Sequence, residues 1–293
     1  IVSTFKELME SQKESLAVLI AQETGKALWD ARSEVAAVCS KLGFADEAYH
    51  ERTGRKVRSI AGAEAVVSHR PHGVMAVYGP YNFPAHLPNG HITPSLLAGN
   101  TVIFKPSELT PMVAEWMVRQ WEAAGLPAGV LNLVQGERDT GIALAQQSID
   151  GVLFTGSSAT GKLLHAQFAG RPEVMLALEM GGNNPLIVSK VSNIEAAVYE
   201  TILSAFTGTG QRCTCARRLI VIENEQSDAY IQQLIASAAA LTIGAYDAEP
   251  SPFMGPLIHN READRLLDGQ RSLEGLGGKV LLRMSRIKED LPY

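Results

Sequence analysis

The chain has few cysteines, no recognisable secretory signal at its start and no long apolar run. Its three cysteines, Cys39, Cys213 and Cys215, cannot complete the even disulfide framework of a small secreted domain. Apolar runs such as Leu16–Ala21 are far shorter than the roughly 18 residues that a membrane-spanning helix needs. We therefore expect a soluble protein of the reducing cytoplasm, with no membrane partner.

An excess of positive charge is also lacking. The formal net charge is −5, the isoelectric point is near 5.8, and no block of like charges forms a tail. A protein that binds nucleic acid presents a basic patch, so we expect no nucleic-acid partner. With 293 residues, of which 46% are apolar and 19% charged, the chain can bury one large core or two smaller ones.

Hydrophobic periodicity predicts an α/β fold. Residues 3–50 have apolar spacings of three and four, which indicates two or three amphipathic helices. Short β-rich runs then alternate with helical stretches, and several runs are apolar throughout, as buried parallel strands are. The predicted strands are Val74–Tyr78, Thr101–Phe104, Val130–Val134, Val152–Phe154, Leu186–Val188, Leu219–Ile222 and Lys279–Leu282. The predicted helices cover residues 111–124, 139–147, 160–169, 193–206 and 226–241.

Two domains are predicted, with the boundary where turn-forming residues cluster at Glu179–Pro185. Residues 1–178 then form a Rossmann-type cofactor domain, and residues 179–293 form a partial α/β catalytic domain that carries Cys213. The chain starts directly in a helical pattern and ends just past a predicted strand, and its last stretch, Arg283–Tyr293, is charged. We expect both domains to be incomplete.

Cys213 and Glu179 are the candidate catalytic residues. A thiolate can attack a carbonyl carbon, and a carboxylate can then activate the water that releases the product. Cys213 follows a glycine-rich segment that allows close backbone approach, and we expect the charge of Arg212 to favour its thiolate. A buried cysteine that only packs is the alternative for Cys213, and it is the role that we assign to Cys215.

A glycine-rich turn between a predicted strand and a predicted helix is a candidate phosphate site. Backbone amides there would face a phosphate at a helix N-terminus. The turn resembles a P-loop, but Leu163 stands where that motif needs the Ser or Thr that binds magnesium, which argues against an ATPase or kinase. The Gly-x-Gly-x-x-Gly fingerprint is also absent, so a plain structural turn stays open. The candidate residues are Gly156, Ser157, Ser158, Ala159, Thr160 and Gly161.

Three further candidates follow predicted strands. Lys105 and Glu108 come at the end of Thr101–Phe104, where an acidic residue commonly binds the ribose hydroxyls of NAD and would repel the 2′-phosphate of NADP. A solvated surface pair is the alternative. Asn82 lies in the loop after Val74–Tyr78, where its amide can donate to a developing oxyanion or simply form a turn.

Five motifs together resemble those of the NAD(P)-dependent aldehyde dehydrogenase superfamily, in its order and spacing. They are Gly79–Pro84, Phe104–Glu108, Phe154–Ser157, Leu178–Gly182 and Gly210–Cys213. Within the family, three segments resemble the subgroup that oxidises a semialdehyde in bacterial arginine catabolism: Asn82–Ile92, Glu179–Pro185 and Arg212–Arg218.

The resemblance implies a cytoplasmic homo-oligomer that oxidises a small-molecule aldehyde with NAD and needs no metal. Cys213 would attack the aldehyde, while Asn82 and the Cys213 N–H would hold the oxyanion. Glu179 would activate the water that hydrolyses the resulting thioester. Residues 156–161 would hold the pyrophosphate, and Lys105 and Glu108 would bind the adenine ribose.

The chain departs from the family pattern at both ends. Members begin with strands that are missing here and continue through a Glu-x-Phe-Gly-Pro motif that this sequence lacks. We therefore expect weak or no aldehyde oxidation by residues 1–293 alone. The alternatives are a non-catalytic cofactor-binding module, and a dehydrogenase for another aldehyde, since Arg212, Arg217 and Arg218 fit a solvated strand start as well as they fit substrate carboxylates.

Overall fold

The structure is a computed structural model that describes residues 1–287. Residues 288–293, at the end of the charged stretch Arg283–Tyr293, lie outside the described residues. The chain forms two compact units, one of Ile1–Glu23 with Arg32–Met180, the other of Thr24–Ala31 with the chain from Gly181 onward. The sequence-based division after residue 178 leaves Thr24–Ala31 in the first part, and the roles given to the two domains stay a prediction.

The N-terminal region is helical, as the apolar spacing predicts. Its three helices are α1 (Val2–Ser11), α2 (Lys13–Thr24) and α3 (Leu28–Arg52). In the first unit, Phe5 of α1 is fully buried and stacks on Trp121, with ring centroids 3.8 Å apart. This contact fixes α1 against the helix that carries Trp121.

A β-hairpin follows that the sequence prediction missed. Strands β1 (Lys56–Ile60) and β2 (Ala63–Val67) pair antiparallel, with Ile60 opposite Ala63 across a two-residue turn. Gly62 in that turn has φ +76°, a conformation that suits glycine and tight hairpins. All ten strand residues are exposed, so no buried face marks the hairpin in the sequence.

The first unit is organised around a five-stranded parallel sheet, in the order β5-β4-β3-β6-β7. The predicted parallel strands are confirmed, and β7 is an addition to them. The chain runs from β3 outward through β4 and β5, then returns to the other side of β3 with β6 and β7. This reversal between β3 and β6 is the switch point at which Rossmann-type sheets bind ligands. The strands are β3 (Val74–Tyr78), β4 (Thr101–Lys105), β5 (Leu131–Leu133), β6 (Gly151–Gly156) and β7 (Met175–Met180).

Four helices connect these strands, and three of them confirm predicted helices. The exception is α4, which contains two prolines and a glycine and which periodicity does not predict. The buried core on the sheet includes Val152, Phe154, Leu164 and Phe168. The helices are α4 (His86–Leu97), α5 (Pro111–Ala123), α6 (Arg138–Ala145) and α7 (Ser158–Phe168).

The second unit contains a parallel pair, β8 (Asn184–Val188) and β9 (Ala216–Val221), as two of the predicted strands require. Val188, Val198, Ile202 and Tyr230 form its buried core, and the Tyr230 hydroxyl lies 2.7 Å from that of Thr201. Its helices are α8 (Ile194–Phe206), α9 (Ser227–Ala239) and α10 (Asn260–Gly275), of which α10 was not predicted.

The predicted strand Lys279–Leu282 is wrong. These residues adopt irregular backbone after α10, and Leu281 and Leu282 are exposed. A short apolar run becomes a strand only where a neighbouring strand supplies the ladder, and within residues 1–287 no strand pairs with this segment. None of the helices in this part of the chain is long and apolar enough to cross a membrane.

Candidate active site

The carboxyl ends of the parallel strands gather most of the predicted site residues of the first unit at one edge of the sheet. Asn82 lies in the loop after β3, Lys105 ends β4, and Gly156 ends β6. Glu179 is the second-last residue of β7, so it lies in a strand, where the sequence suggested a turn. Parallel pairing places these four positions at the same end of the sheet.

The loop that carries Asn82 is held by a buried carboxylate. One oxygen of Glu34, Oε1, accepts hydrogen bonds from the backbone N–H of Ala85 at 3.0 Å and of His86 at 3.1 Å. These amides open α4, and Ala85 makes no side-chain cap of its own. The carboxylate therefore replaces a local cap and orders the segment that leads from the partly buried Asn82 into the helix.

The glycine-rich turn after β6 is a helix start. Ser157 is the N-cap of α7, and its Oγ accepts a hydrogen bond from Thr160 N at 3.1 Å. The amides of Ser158 and Ala159 lie in the exposed first turn, where an α-helix offers no internal acceptor. This pair, at the positive end of the helix dipole, fits a phosphate group.

Gly161 does not fit the expectation that all the amides of this turn face a phosphate. Its N–H donates to Ser157 O at 3.0 Å inside the helix. A Cβ at this position would lie 2.4 Å from Met180 Sδ and 2.9 Å from Met180 Cγ. The glycine therefore allows α7 to pack closely on the end of β7.

Lys105 and Glu108 form a pair at the end of β4. Lys105 Nζ lies 3.6 Å from Glu108 Oε2 and donates to Pro106 O at 2.9 Å. Burial lowers the pKa of Lys105, and the charges of Glu108 and Glu137 oppose that shift. An ammonium has three donors, so these two contacts leave one for a ligand, beside a carboxylate that is 47% exposed. A ribose hydroxyl fits this arrangement.

A histidine that was given no role from the sequence lies beside Glu179. His91 Nε2 of α4 is 3.1 Å from Thr155 Oγ1 of β6, and Thr155 is the register partner of Glu179 on β7. Register partners on neighbouring strands project to the same face of a sheet. Partial burial lowers the pKa of His91, the charge of Lys41 lowers it further, and the charge of Glu179 raises it. In the sequence, His91 is only a lone histidine within the motif Asn82–Ile92. Its position next to Glu179 follows from the packing of α4 on the sheet, which the sequence does not show.

Cys213 lies in the second unit and is exposed, which excludes the alternative of a buried packing residue. Cys215 is buried, as assigned. Ahead of Cys213 comes a left-handed turn in which Gly208, Thr209 and Gly210 have φ of 64°, 58° and 67°. Thr209 is the one non-glycine residue with positive φ among residues 1–287, and its hydroxyl donates to Gly255 O at 2.9 Å.

Arg212 does not supply an uncompensated charge next to Cys213. Its guanidinium pairs with the carboxylate of Asp30, whose side chain is only 2% exposed. The two charges largely offset each other, and the pair ties the loop that carries Cys213 to the start of α3 within the same unit. This pairing weighs against the expectation that Arg212 favours a thiolate at Cys213, and that expectation stays a prediction.

Side chains from the starts of both strands bind the loop around Cys213. Asn184 Nδ2 donates to Cys213 O at 2.7 Å and to Cys215 O at 3.1 Å. Arg217 Nη2 donates to Arg212 O at 3.2 Å and to Gly210 O at 3.3 Å. Arg218 Nε donates to Asn183 O at 3.0 Å. Arg217 and Arg218 are thus both engaged with backbone carbonyls of this unit.

Comparison with known proteins shows the family to which the chain belongs. A model of the aldehyde dehydrogenase family matches residues 1–291. The N-succinylglutamate 5-semialdehyde dehydrogenase of Hahella chejuensis is 57% identical over 291 residues, which cover 99% of this chain and 59% of the relative. The enzyme of the same name from Chromobacterium violaceum is 56% identical over 290 residues, covering 99% and 60%. The chain therefore spans about three fifths of the length of these relatives.

Solved structures agree with the fold. PnpE from Pseudomonas sp. WBC-3 superposes with a TM-score of 0.89 at 32% identity, covering 96% of this chain and 58% of PnpE. The complex of PnpE with nicotinamide adenine dinucleotide gives the same values. HpcC from Thermus thermophilus has a TM-score of 0.88 at 28% identity, covering 96% and 55%.

We expect His91 to titrate below the ordinary histidine range. Lys41→Gln removes a repelling positive charge and should raise the pKa of His91, whereas Glu179→Gln removes an attracting negative charge and should lower it. NMR of the imidazole ring signals against pH measures both shifts, with His91→Gln identifying the resonance. A His91 pKa that moves in neither variant would contradict the proximity of the three charged groups.

Proposed function

The chain belongs to the aldehyde dehydrogenase family, and on this basis we propose that it acts in the NAD-dependent oxidation of N-succinyl-L-glutamate 5-semialdehyde to N-succinyl-L-glutamate. The observation that carries the reaction class is the exposed Cys213 thiol, presented by a left-handed turn and held by side-chain bonds to its loop. The substrate is proposed from the names of the relatives that are 56% to 57% identical.

Cys213 is the nucleophile in this proposal. Its thiolate forms a C–S bond to the aldehyde carbon, and the electron pair of the C=O bond moves to oxygen. The Asn82 amide and the Cys213 N–H donate hydrogen bonds to that oxyanion, which oriented dipoles stabilise strongly where water is excluded. The ordered loop after β3, fixed by Glu34, supports such a role for Asn82.

The cofactor would be held by residues that fit it. Ser158 and Ala159 would donate their amides to the pyrophosphate, with Ser157 capping the helix beside it. Lys105 and Glu108 would bind the adenine ribose. When bound, the nicotinamide accepts the hydride that the thiohemiacetal carbon loses, which leaves a thioester on Cys213. The half-exposed Glu108 carboxylate would repel a 2′-phosphate and so favour NAD over NADP.

Glu179 is the proposed base for the second half of the reaction. Its carboxylate, exposed at the end of β7, would take a proton from water as the water oxygen bonds to the thioester carbon. The C–S bond then breaks, and the carboxylic acid product leaves with the Cys213 thiolate regenerated. His91 and Thr155 beside it form a polar surrounding for this carboxylate.

Two variants test the assignment in the protein that carries this sequence. Cys213→Ala should release no NADH when aldehyde and NAD are mixed, because no thiohemiacetal forms. Glu179→Gln should release about one NADH per active site in a rapid burst and then turn over slowly, because hydride transfer precedes the step that needs the base. Stopped-flow absorbance of NADH measures both.

Cys215→Ala is the matched control for the nucleophile. Cys215 is buried two positions away, so its removal should leave the burst intact. Equal loss of the burst from both cysteine variants would contradict the role of Cys213. Loss of the burst in Glu179→Gln would assign Glu179 to the hydride step instead of hydrolysis.

Glu108→Gln tests the cofactor preference. The change removes a negative charge while it keeps the size of the side chain, so the preference for NAD over NADP should narrow, by roughly 1–2 kcal/mol for a partly desolvated like-charge contact. The ratio of kcat/KM for the two cofactors measures this. An unchanged ratio would show that Glu108 does not face the ribose.

We also propose a cytoplasmic homo-oligomer, with the β1–β2 hairpin as a contact surface. Val57, Ile60, Val66 and Val67 are between 44% and 58% exposed on this two-stranded ribbon, and exposed apolar strands favour association. Val66→Glu should lower the mass in multi-angle light scattering at low micromolar concentration. A native protein that is already monomeric would contradict the proposal.

The proposed cytoplasmic location is compatible with the state of the cysteines, since Cys39, Cys213 and Cys215 are free thiols, as expected in a reducing compartment.

A further inference from the structure

The segment that holds Cys213 has no regular secondary structure of its own. Residues 211–215 form a bend and a turn between Gly210 and β9, and the one backbone bond within them is from Cys215 N to Arg212 O, at 3.3 Å. A nucleophile needs a fixed direction for its thiol, and an oxyanion donor needs a fixed direction for its N–H. Side-chain hydrogen bonds must therefore fix the backbone of this segment, since it lacks the backbone hydrogen bonds of a strand or a helix.

Asn184 orders the peptide group that follows Cys213. Its single amide nitrogen donates to both Cys213 O and Cys215 O, at 2.7 and 3.1 Å. The carbonyl of Cys213 belongs to the rigid plane between residues 213 and 214, so this bond fixes that plane. Asn184 is itself confined, because it opens β8 opposite Ala216 and precedes Pro185, which restricts its backbone to extended conformations.

Arg217 orders the peptide group that precedes Cys213. Its Nη2 donates to Arg212 O at 3.2 Å and to Gly210 O at 3.3 Å. In a trans peptide the C=O and the following N–H point in opposite directions. Holding the Arg212 carbonyl toward Arg217 therefore aims the Cys213 N–H away from Arg217.

We propose that Asn184 and Arg217 are positioning residues that fix the two peptide planes on either side of Cys213. With both planes held, the backbone angles of Cys213 are set, and so are the directions of its N–H and of the Cα–Cβ bond that carries its thiol. The inference rests on the proposed role of Cys213 as nucleophile and deepens it. Arg217 acts here through the geometry of its hydrogen bonds rather than through its charge.

Two variants, Arg217→Lys and Asn184→Asp, test whether these residues act through the geometry of their hydrogen bonds or through their charge and size. Lysine keeps the positive charge of Arg217 but replaces the planar guanidinium, whose Nη2 bonds both carbonyls, with a flexible tetrahedral ammonium. Aspartate keeps the shape of Asn184 but offers no donor to a carbonyl. We expect each variant to slow the NADH burst about tenfold or more, while the fluorescence titration with NADH is unchanged. The loss stays below the roughly 10²–10³-fold that removal of an oxyanion donor costs, because the Cys213 N–H is misaligned rather than removed. Asn184→Ser provides a second variant should Asn184→Asp fail to fold.

Alkylation of Cys213 by iodoacetamide gives a readout that needs no oxyanion. Its rate at one fixed pH, followed by mass spectrometry, should be the same in Arg217→Lys and in the native protein. Cys39 is the internal reference, since burial raises the pKa of its thiol and slows its reaction. If Arg217→Lys preserved the burst while Arg217→Ala slowed the alkylation of Cys213, the charge of Arg217 would be what matters, and the proposal for it would be overturned.

Arg218→Lys is the matched control, because Arg218 also bonds a backbone carbonyl but at Asn183, outside the planes of Cys213. It should lower the unfolding temperature about as much as Arg217→Lys and leave the burst rate unchanged. Equal slowing of the burst in both would show a general structural role and overturn the proposal. Absence of any burst in the native protein would instead refute the proposed function, so the two failures are distinguishable.

Discussion

Parallel pairing on both sides of β3 is the constraint on which the first unit depends. Because β3 pairs with β4 on one edge and with β6 on the other, the chain reverses direction across the sheet at this strand. The loop with Asn82 and the helix start after Gly156 then leave adjacent strands at the same end. This topology therefore brings the Asn82 amide to the same end of the sheet as the N-terminus of α7, where Rossmann-type sheets bind their ligands.

Carboxylates that are remote in sequence accept hydrogen bonds from helix N-termini and pair with a loop arginine, contacts that the local sequence does not provide. Glu34 caps α4, and Glu23 accepts the amides of Met112 and Val113 at 2.9 and 2.8 Å at the start of α5. Burial raises the pKa of Glu23, and the two backbone bonds lower it. Asp30 in turn pairs with Arg212, the residue before Cys213. These contacts link helices of the N-terminal region to loops that carry candidate site residues.

Much of the fold was readable from periodicity, because the apolar runs of β3, β4 and β6 and the amphipathic helices between them carry strong local signals. The prediction from the sequence failed at two segments for the same reason. Helix α4 has poor intrinsic propensity and is stabilised by Glu34, a residue remote in sequence. Lys279–Leu282 has strand-like composition, yet the described structure supplies it with no pairing strand. In both, a long-range contact decides what local preference does not.

The sequence by itself determined the identity of the candidate groups: a thiol at Cys213, a carboxylate at Glu179 and a helix start after Gly156. Tertiary structure decided how those groups are used. In the fold, Arg212 pairs with Asp30, and Gly161 allows α7 to pack against β7. Asn184 and Arg217 donate hydrogen bonds to the backbone carbonyls around Cys213. The physical reason is that side-chain chemistry is local, whereas hydrogen bonding, burial and charge compensation depend on which distant segments the fold brings into contact.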